Sequence, residues 1–168
     1  MDVVEVVGVV TGALCVVLAV RRNIWTFPVG LANNAFFLVL FVEAGLYADA
    51  ALQLVYAGLG IAGWWAWLRG GPGRTALRVT RTPRAAVGLL LAAVVAGTAV
   101  LTWVLTTWTD STVPLADGAT TALSLVAQFM LNRKWLEHWL VWIVADVIYV
   151  ALYAVKDLWL TAGLYAGF

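Results

Sequence analysis

The stretch Asn23–Asn34, NIWTFPVGLANN, places Pro28 and Gly30 shortly before two adjacent asparagines in an otherwise apolar helix. Asn34 lies roughly 15 Å along that helix from Ile24, about half of a ~30 Å hydrocarbon core. Side-chain amides at that depth are unfavourable unless they find hydrogen-bond partners. Two interpretations follow. Either the amides join neighbouring transmembrane helices, or they line a solute site near the middle of the membrane.

The composition around this stretch is that of a membrane protein. Of the 168 residues, 64 % are hydrophobic and 11 % are charged, and the mean hydropathy is +0.95. These values lie outside the range of soluble domains. The acidic N-terminus predicts no cleaved signal peptide. The single Cys15 has no partner for an internal disulfide and no neighbouring base, so it is interpreted as a small core residue. No cofactor is expected, and the formal net charge of +1 provides no bulk attraction to nucleic acid.

Hydropathy predicts seven apolar segments. They lie at residues 3–20, 24–42, 47–67, 85–105, 115–131, 136–155 and 158–168. The first six are near the length of a transmembrane helix. The seventh is short, and we expect either a stub or a helix that continues beyond Phe168.

Basic residues predict the orientation of these segments. Arg21 and Arg22 follow the first segment, five arginines separate the third from the fourth, and Arg133 and Lys134 follow the fifth. The positive-inside rule makes these three connections cytoplasmic, so the N-terminus lies outside and the C-terminus inside. The connection at residues 69–84 is also rich in glycine and proline, and we expect a flexible cytoplasmic loop.

An internal repeat organises the segments. A shift of 112 residues places Arg21–Arg22 on Arg133–Lys134 and Asn34 on Asp146. The fold class expected is all-α, with seven transmembrane helices in a 3+1+3 parallel-repeat, SWEET-like arrangement. This single transporter domain, 1–168, divides into a first three-helix repeat at 1–68, a basic loop at 69–84, a linker helix at 85–106 and a second repeat at 114–168.

Polar and aromatic side chains follow one face of three segments. The stripes consist of Gln53, Tyr56, Gly60, Trp64 and Trp67 on the third, Asp117, Thr121, Ser124 and Gln128 on the fifth, and Trp139, Trp142, Asp146, Tyr149 and Tyr153 on the sixth. Lipid does not solvate these groups, so the stripes are expected to enclose a solute-filled space. Aromatic faces suit a flat cationic ring, and amides suit hydroxyls or a carboxamide. With no Arg or Lys in a span, a solute without phosphate is favoured.

Three runs of sequence resemble the PnuC-type vitamin transporters. They are WTFPVGLANNAFF at 25–37, LQLVYAGLGIAGWWAW at 52–67, and LNRKWLEHWLVWIVADVIYVALY at 131–153 followed by KDLWLTA. The resemblance covers essentially the whole chain. It implies facilitated diffusion of nicotinamide riboside across the bacterial cytoplasmic membrane, with phosphorylation inside the cell trapping the solute. Relatives carry thiamine, riboflavin or deoxynucleosides, so these solutes are the alternatives.

The resemblance also implies a substrate-binding region. Its residues are Asn33, Asn34, Gln53, Tyr56, Trp64, Trp67, Gln128, Trp139, Trp142, Asp146 and Tyr149. Two of its four tryptophans are expected to sandwich the ring, while Asn34 and Gln53 bind hydroxyls or the carboxamide. Asp146 either offsets the charge of the ring or joins helices. His138 is expected at the membrane interface rather than in a proton relay.

Two other classes of function fit the sequence less well than transport does. An intramembrane enzyme requires a nucleophile–base pair or a metal cluster, and neither motif is present in the sequence. A non-transporting membrane subunit does not need polar stripes in both repeats. The expected partners are therefore a small-molecule solute and the lipid bilayer, with no nucleic acid. The identity of the vitamin, coupling to an ion and assembly into a homo-oligomer stay open.

Overall fold

The computed structural model describes residues 3–43, 47–109 and 113–155. They form six α-helices: α1 (Val3–Val20), α2 (Thr26–Glu43), α3 (Tyr47–Arg69), α4 (Arg84–Trp108), α5 (Pro114–Asn132) and α6 (His138–Val155). A short 3₁₀ turn at Pro72–Arg74 follows α3. The first six expected segments are confirmed to within three residues at each end. The seventh, 158–168, lies outside the described residues, so the 3+1+3 arrangement stays a prediction.

Pro28 lies in the first turn of α2 and does not break the helix. The backbone N–H groups of a first helical turn have no partner within the helix, so a proline there forfeits no hydrogen bond. The preceding turn is closed by Asn23, whose side-chain oxygen accepts from the backbone N–H of Trp25 over 3.0 Å. The stretch at 23–34 therefore starts a transmembrane helix.

The first compact unit covers the described residues up to Arg78 and contains α1, α2 and α3. In it, α2 packs against both α1 and α3. At its centre Phe27 and Trp67 meet edge to face, with ring centroids 5.0 Å apart and an interplanar angle of 88°. The hydroxyl of Thr26 donates to the carbonyl oxygen of Cys15 on α1 over 3.1 Å. The start of α2 is thereby fixed against both neighbouring helices.

The second compact unit begins at Val79 and contains α4, α5 and α6. The helix expected to be a linker, α4, packs against α5, and α5 packs against α6. The approach of α4 to α5 is close at Gly118, where an added Cβ would lie 2.7 Å from the Thr102 hydroxyl oxygen and 3.0 Å from the Thr102 backbone nitrogen. A glycine at this position allows two helix backbones to come together.

The connection before α4, expected to be flexible, is hydrogen-bonded along its second half. Thr80 donates its N–H to the carbonyl of Lys134 over 3.1 Å and accepts from the N–H of Leu136 over 3.0 Å. Two residues later, the backbone N–H and the hydroxyl of Thr82 both donate to Oε2 of Glu137, each over 2.7 Å. The segment is therefore tied to the α5–α6 turn.

The turn that links α1 to α2 recurs between α5 and α6. Adding 112 to the bounds of α2 gives 138 and 155, which are the bounds of α6. Arg22 and Lys134 both have a φ of 53°, and each donates its N–H over 2.9 Å to the carbonyl three residues earlier. The next residue, Asn23 or Trp135, donates to the carbonyl five residues earlier. Both turns are Schellman motifs with a basic residue in the left-handed position.

Aliphatic side chains cover much of the molecular surface. Two helical stretches, Ala50–Arg69 and Arg84–Trp108, are long and apolar enough to cross a membrane by length and composition. No residue of α4 is buried, and Leu89 on this helix is 73 % exposed. Trp103 and Trp108 are exposed near its C-terminal end. Such a surface is unstable in water and suits lipid.

Candidate functional site

The predicted stripe on α3 is turned away from the surface. Gln53, Tyr56 and Trp64 are half-buried, and Gly60 and Trp67 are buried. Five large apolar residues between or beside them are exposed, namely Leu54, Val55, Ile61, Trp65 and Leu68. The polar and aromatic face of this helix therefore points into the protein, as the spacing predicts.

Trp67 is the member of this stripe with a defined packing role. Its ring is buried against the edge of Phe27, and its carbonyl oxygen accepts from the N–H of Leu77 over 3.0 Å. Trp64, one turn earlier, is only half-buried and keeps part of its surface accessible. Of the two, Trp64 has the more accessible ring for a solute.

The two asparagines of α2 have different surroundings. The side-chain N–H of Asn33 donates to the hydroxyl oxygen of Thr11 on α1. Thr11 in turn donates to the carbonyl oxygen of Val7 over 2.7 Å. Asn34 is half-buried, and among the described residues its amide has no hydrogen-bond partner. The first interpretation, a bond between helices, applies to Asn33.

The stripe on α6 shows the same division between faces. Trp139, Trp142, Asp146 and Tyr149 are half-buried, and the side chain of Tyr153 lies outside the described residues. The intervening Leu140, Ile143, Val144 and Val147 are exposed. A carboxylate and three aromatic rings thus share the inward face of this helix.

On α5 the polar side chains largely satisfy one another or the backbone. The amide of Gln128 donates to Oδ1 of Asn132, one turn later, over 3.2 Å. Thr120 is buried, and its hydroxyl donates to the carbonyl oxygen of Ala116 over 2.9 Å. Ser124 is also buried. Gln128 is therefore partly engaged within its own helix.

The 112-residue shift relates a polar residue, Asn34, to another polar residue, Asp146, whereas it relates the neighbouring Asn33 to an alanine. Asn34 and Asp146 are both half-buried at equivalent positions of α2 and α6. The residue that corresponds to Asn33 is Ala145, which is fully buried. Because alanine has no polar side-chain atom, the second unit cannot form the equivalent of the bond between Asn33 and α1. A polar side chain is present at both 34 and 146.

His138 and Glu137, at the start of α6, are held by local contacts. His138 is buried, and its expected position at the membrane interface stays a prediction. Its ring centroid lies 4.6 Å from that of Trp139, with the two planes tilted by 40°. The hydrogen bonds that Thr82 donates hold the pKa of the Glu137 carboxyl below its ordinary value, and the bond from the hydroxyl has the larger effect. The positive charge of Arg81 lowers this pKa further.

Sequence periodicity alone did not reveal several of these partners. Thr11 and Asn132 bond to the predicted site residues Asn33 and Gln128, and Thr82 bonds to Glu137, but a single hydroxyl or amide has no periodic signal. The basic residues of the described helices lie at helix ends, Arg69 and Arg84, and the others lie in turns and connections. Within the described ranges, no three His, Cys, Asp or Glu side chains cluster as metal ligands would.

Comparison with known proteins gives consistent results. The profile of a family described as nicotinamide mononucleotide transporter matches residues 2–168. The nicotinamide riboside transporter PnuC of Escherichia coli K12 is 28 % identical over 181 aligned positions, which cover 93 % of this chain and 76 % of that protein. The protein of the same name from Neisseria mucosa is 30 % identical, over 89 % of this chain and 59 % of its own length.

A relative with another named solute and a solved structure complete the comparison. The riboflavin/roseoflavin transporter RibM of Streptomyces davaonensis is 28 % identical, over 88 % of this chain and 70 % of the relative. The solved structure is described as a crystal structure of the vitamin B3 transporter PnuC. It matches with a TM-score of 0.71 and 27 % identity, over 96 % of this chain and 75 % of that one.

Proposed function

Because this chain belongs to the nicotinamide mononucleotide transporter family, we propose that it carries nicotinamide riboside across the bacterial cytoplasmic membrane. Relatives with that named solute align with most of the chain. The proposed topology is seven helices in a 3+1+3 arrangement, with the N-terminus outside and the C-terminus in the cytoplasm. The proposed activity moves the solute without changing its covalent structure.

The observation that carries this proposal is the pair of polar faces on α3 and α6. A half-buried amide on Gln53 and a half-buried carboxylate on Asp146 share these faces with tryptophan rings. Such groups are retained at membrane depth when they contact one another, water or a solute. Nicotinamide riboside matches them, because its cationic ring suits aromatic faces and a carboxylate, while its hydroxyls and carboxamide suit amides.

The placement of basic residues favours the riboside over its mononucleotide. Recognition of a phosphate group usually uses Arg, Lys or a helix N-terminus. In the described helices the basic residues lie at the ends, at Arg69 and Arg84, and not among the stripe residues. A phosphorylated solute would therefore lose hydration of its phosphate without gaining a matching cation.

The proposed solute contacts are side chains on four helices. On α2 and α3 they are Asn34, Gln53, Tyr56 and Trp64, with Asn33 and Trp67 supporting them through bonds and packing. On α6 they are Trp139, Trp142, Asp146 and Tyr149, and on α5 the contact is Gln128. Two tryptophans sandwich the pyridinium ring, and Asp146 offsets its positive charge.

The proposed mode of transport is facilitated diffusion. Asp146 is the acid placed near the middle of a described span, and no Lys or Arg accompanies it within α6. A site of this kind has one charge to balance, and the solute itself supplies the opposite charge. Net uptake then depends on a later phosphorylation in the cytoplasm, which retains the product inside the cell.

Riboflavin is the second candidate solute. The relative from Streptomyces davaonensis, named as a riboflavin/roseoflavin transporter, is 28 % identical to this chain over 155 positions, and the Escherichia coli protein is 28 % identical over 181. An aromatic sandwich also suits a flavin ring, although a flavin lacks the fixed positive charge of a pyridinium. Asp146 favours the cationic solute.

A ligand panel tests the proposal on the purified full-length protein. Calorimetry and thermal-shift measurements compare nicotinamide riboside, its mononucleotide, thiamine and riboflavin. We expect saturable binding and a raised melting temperature with the riboside and little response to the mononucleotide. A response to riboflavin or thiamine, with none to the riboside, would show that another vitamin is the solute.

A further inference from the structure

His138 carries a buried nitrogen atom without a hydrogen-bond partner. The residue begins α6 and is 6 % exposed. Its Nδ1 lies 2.7 Å from the carbonyl oxygen of Trp135. A carbonyl only accepts, so Nδ1 donates its proton, and Nε2 of the neutral ring is left as an acceptor. Within the described part of the chain, Nε2 is the one fully buried side-chain nitrogen or oxygen atom with no partner.

The equivalent position in the first unit shows how little hydrogen bonding the fold requires here. Thr26, 112 residues earlier, is 7 % exposed, and its hydroxyl donates to the carbonyl oxygen of Cys15. One polar atom on that side chain suffices to fix the start of α2. His138 has two ring nitrogens and uses one of them locally. An unpaired buried acceptor destabilises a fold, so Nε2 needs a donor from elsewhere.

The residues next to His138 define what that donor can be. Glu137 is an acceptor when ionised, and its Oε2 already accepts from Thr82. Trp139 places its ring beside the His138 ring, at 4.6 Å between centroids. Trp139 also begins the inward face that carries Trp142 and Asp146. His138 thus directly precedes, on the same helix, tryptophans proposed to stack on the solute.

We propose that His138 is a solute-binding residue whose Nε2 accepts a hydrogen bond from an uncharged N–H or O–H group of the transported solute. This inference rests on the proposed function, since a riboside has carboxamide N–H and ribose O–H donors. An ordered water molecule is the competing partner of Nε2. A water would satisfy the nitrogen equally well but would give His138 no influence on solute affinity.

Because His138 is the single histidine of the chain, its nitrogens can be observed without any substitution. Protein carrying ¹⁵N-labelled histidine, purified without a histidine tag, is titrated with nicotinamide riboside. We expect the Nε2 resonance to move on saturation and the Nδ1 resonance, bonded to Trp135, to stay nearly constant. An Nε2 resonance that does not respond to a saturating solute would overturn the proposal in favour of a structural water.

Two substitutions separate the nitrogens in a second experiment. An asparagine amide occupies the position of Nδ1, whereas a glutamine amide reaches the position of Nε2. We expect His138→Asn to keep the melting temperature and to weaken riboside affinity about 5- to 30-fold, as loss of one buried hydrogen bond does. His138→Gln is expected to lower the melting temperature while its affinity stays within about threefold of wild type.

The reverse pattern would contradict a binding role for His138. If His138→Asn retains full affinity, the Nε2 atom contacts no solute. Failure of the proposed function looks different, because the wild-type protein would then bind no nicotinamide riboside at all. In that case the titration and both variants are measured with the vitamin that the wild-type protein does bind. His138→Asn must then lose affinity for that vitamin, and His138→Gln must lose stability.

Discussion

At the residue scale, adjacent polar side chains on one helix have different surroundings. Asn33 joins α2 to α1 through Thr11, while the Asn34 amide has no partner among the described residues. Their directions differ because consecutive residues of a helix lie about 100° apart around its axis. A polar pair that looks uniform in sequence therefore has two different environments in the fold.

We predict opposite effects for the two alanine substitutions. Asn33→Ala removes the bond to Thr11 and is expected to destabilise the protein by about 1–2 kcal/mol, with a small effect on solute affinity. Asn34→Ala is expected to weaken riboside binding by about 1–3 kcal/mol and to leave the melting temperature nearly unchanged. Calorimetry and thermal unfolding of both variants check this. Val39→Ala, at an exposed position of α2, is the control. A loss of stability without a loss of affinity in Asn34→Ala would make Asn34 a structural residue.

Asp146 is predicted to respond to the charge of the solute. Asp146→Asn keeps the shape of the side chain and removes its negative charge, so it should weaken binding of cationic nicotinamide riboside. The reduced riboside has an uncharged ring and should lose less affinity. Dissociation constants for both ligands on wild type and variant give the comparison. Equal losses would assign Asp146 to contacts between helices.

At the element scale, the packing of α4 explains why it belongs to the second unit. Its contact with α5 depends on Gly118, where an added Cβ would meet backbone as well as side-chain atoms of α4. Gly88, on α4 itself, has no atom within 4 Å of such a Cβ. The two glycines therefore provide a matched test of close helix packing.

Gly118→Ala is predicted to destabilise the protein by about 1–3 kcal/mol, because the backbone of α4 must move away. Gly88→Ala adds a methyl group in open space and replaces a poor helix former, so it should stabilise by up to about 1 kcal/mol. Apparent melting temperatures in one detergent suffice for the measurement. Equal shifts in both variants would mean that α4 does not approach α5 closely.

The bonds between Thr82 and Glu137 predict a pH-dependent contribution to stability. The lowered pKa of the Glu137 carboxyl, ordinarily 4.5, means that folding stabilises the ionised form. This contribution is complete above the ordinary pKa and is lost as the pH falls through the lowered, folded value. Thr82→Val should therefore reduce the melting temperature at neutral pH, and the difference from wild type should shrink below about pH 4.

Thr82→Ser retains the hydroxyl and is the control for this experiment. It should behave as the wild-type protein does at every pH. A difference between Thr82→Val and wild type that stays constant from neutral to acidic pH would show that the hydroxyl acts through packing rather than through the carboxylate.

Helices and their contacts differ in how well the sequence predicts them. Apolar length and basic flanks located six helices, because lipid requires long apolar spans and the charges stay outside them. The 112-residue shift anticipated the equivalence of α2 and α6 and the match of Arg22 to Lys134, but not the left-handed backbone that these two residues share. The bonds of Thr80 and Thr82 to residues more than fifty positions later were not foreseen, because isolated polar contacts between distant segments leave no periodic pattern.

The candidate site was predictable in outline and not in detail. The spacing on α3 and α6 correctly placed the polar faces inward, since the alternative exposes amides and a carboxylate to lipid. The packing of Trp67 on Phe27 and the burial of His138 depend on which helices become neighbours. The eleven substrate-binding residues expected from the sequence stay predictions.

At the scale of the whole molecule, the helices have apolar faces that are exposed and polar faces that point inward. Exposed aliphatic side chains on α3, α4 and α6 require lipid, whereas the inward polar faces require a polar occupant. Basic side chains gather in turns and connections, where they do not meet a solute inside the spans. Together these features favour an uncharged sugar with a cationic ring over a phosphorylated nucleotide.

Uptake into proteoliposomes that contain no kinase and carry no ion gradient tests the central claim most directly. Labelled nicotinamide riboside and labelled nicotinamide mononucleotide are supplied separately to vesicles with the wild-type protein and to vesicles without it. The account predicts that the riboside enters until its concentrations inside and outside are equal, and that the mononucleotide stays outside. Entry of the mononucleotide at a rate comparable to that of the riboside would contradict it.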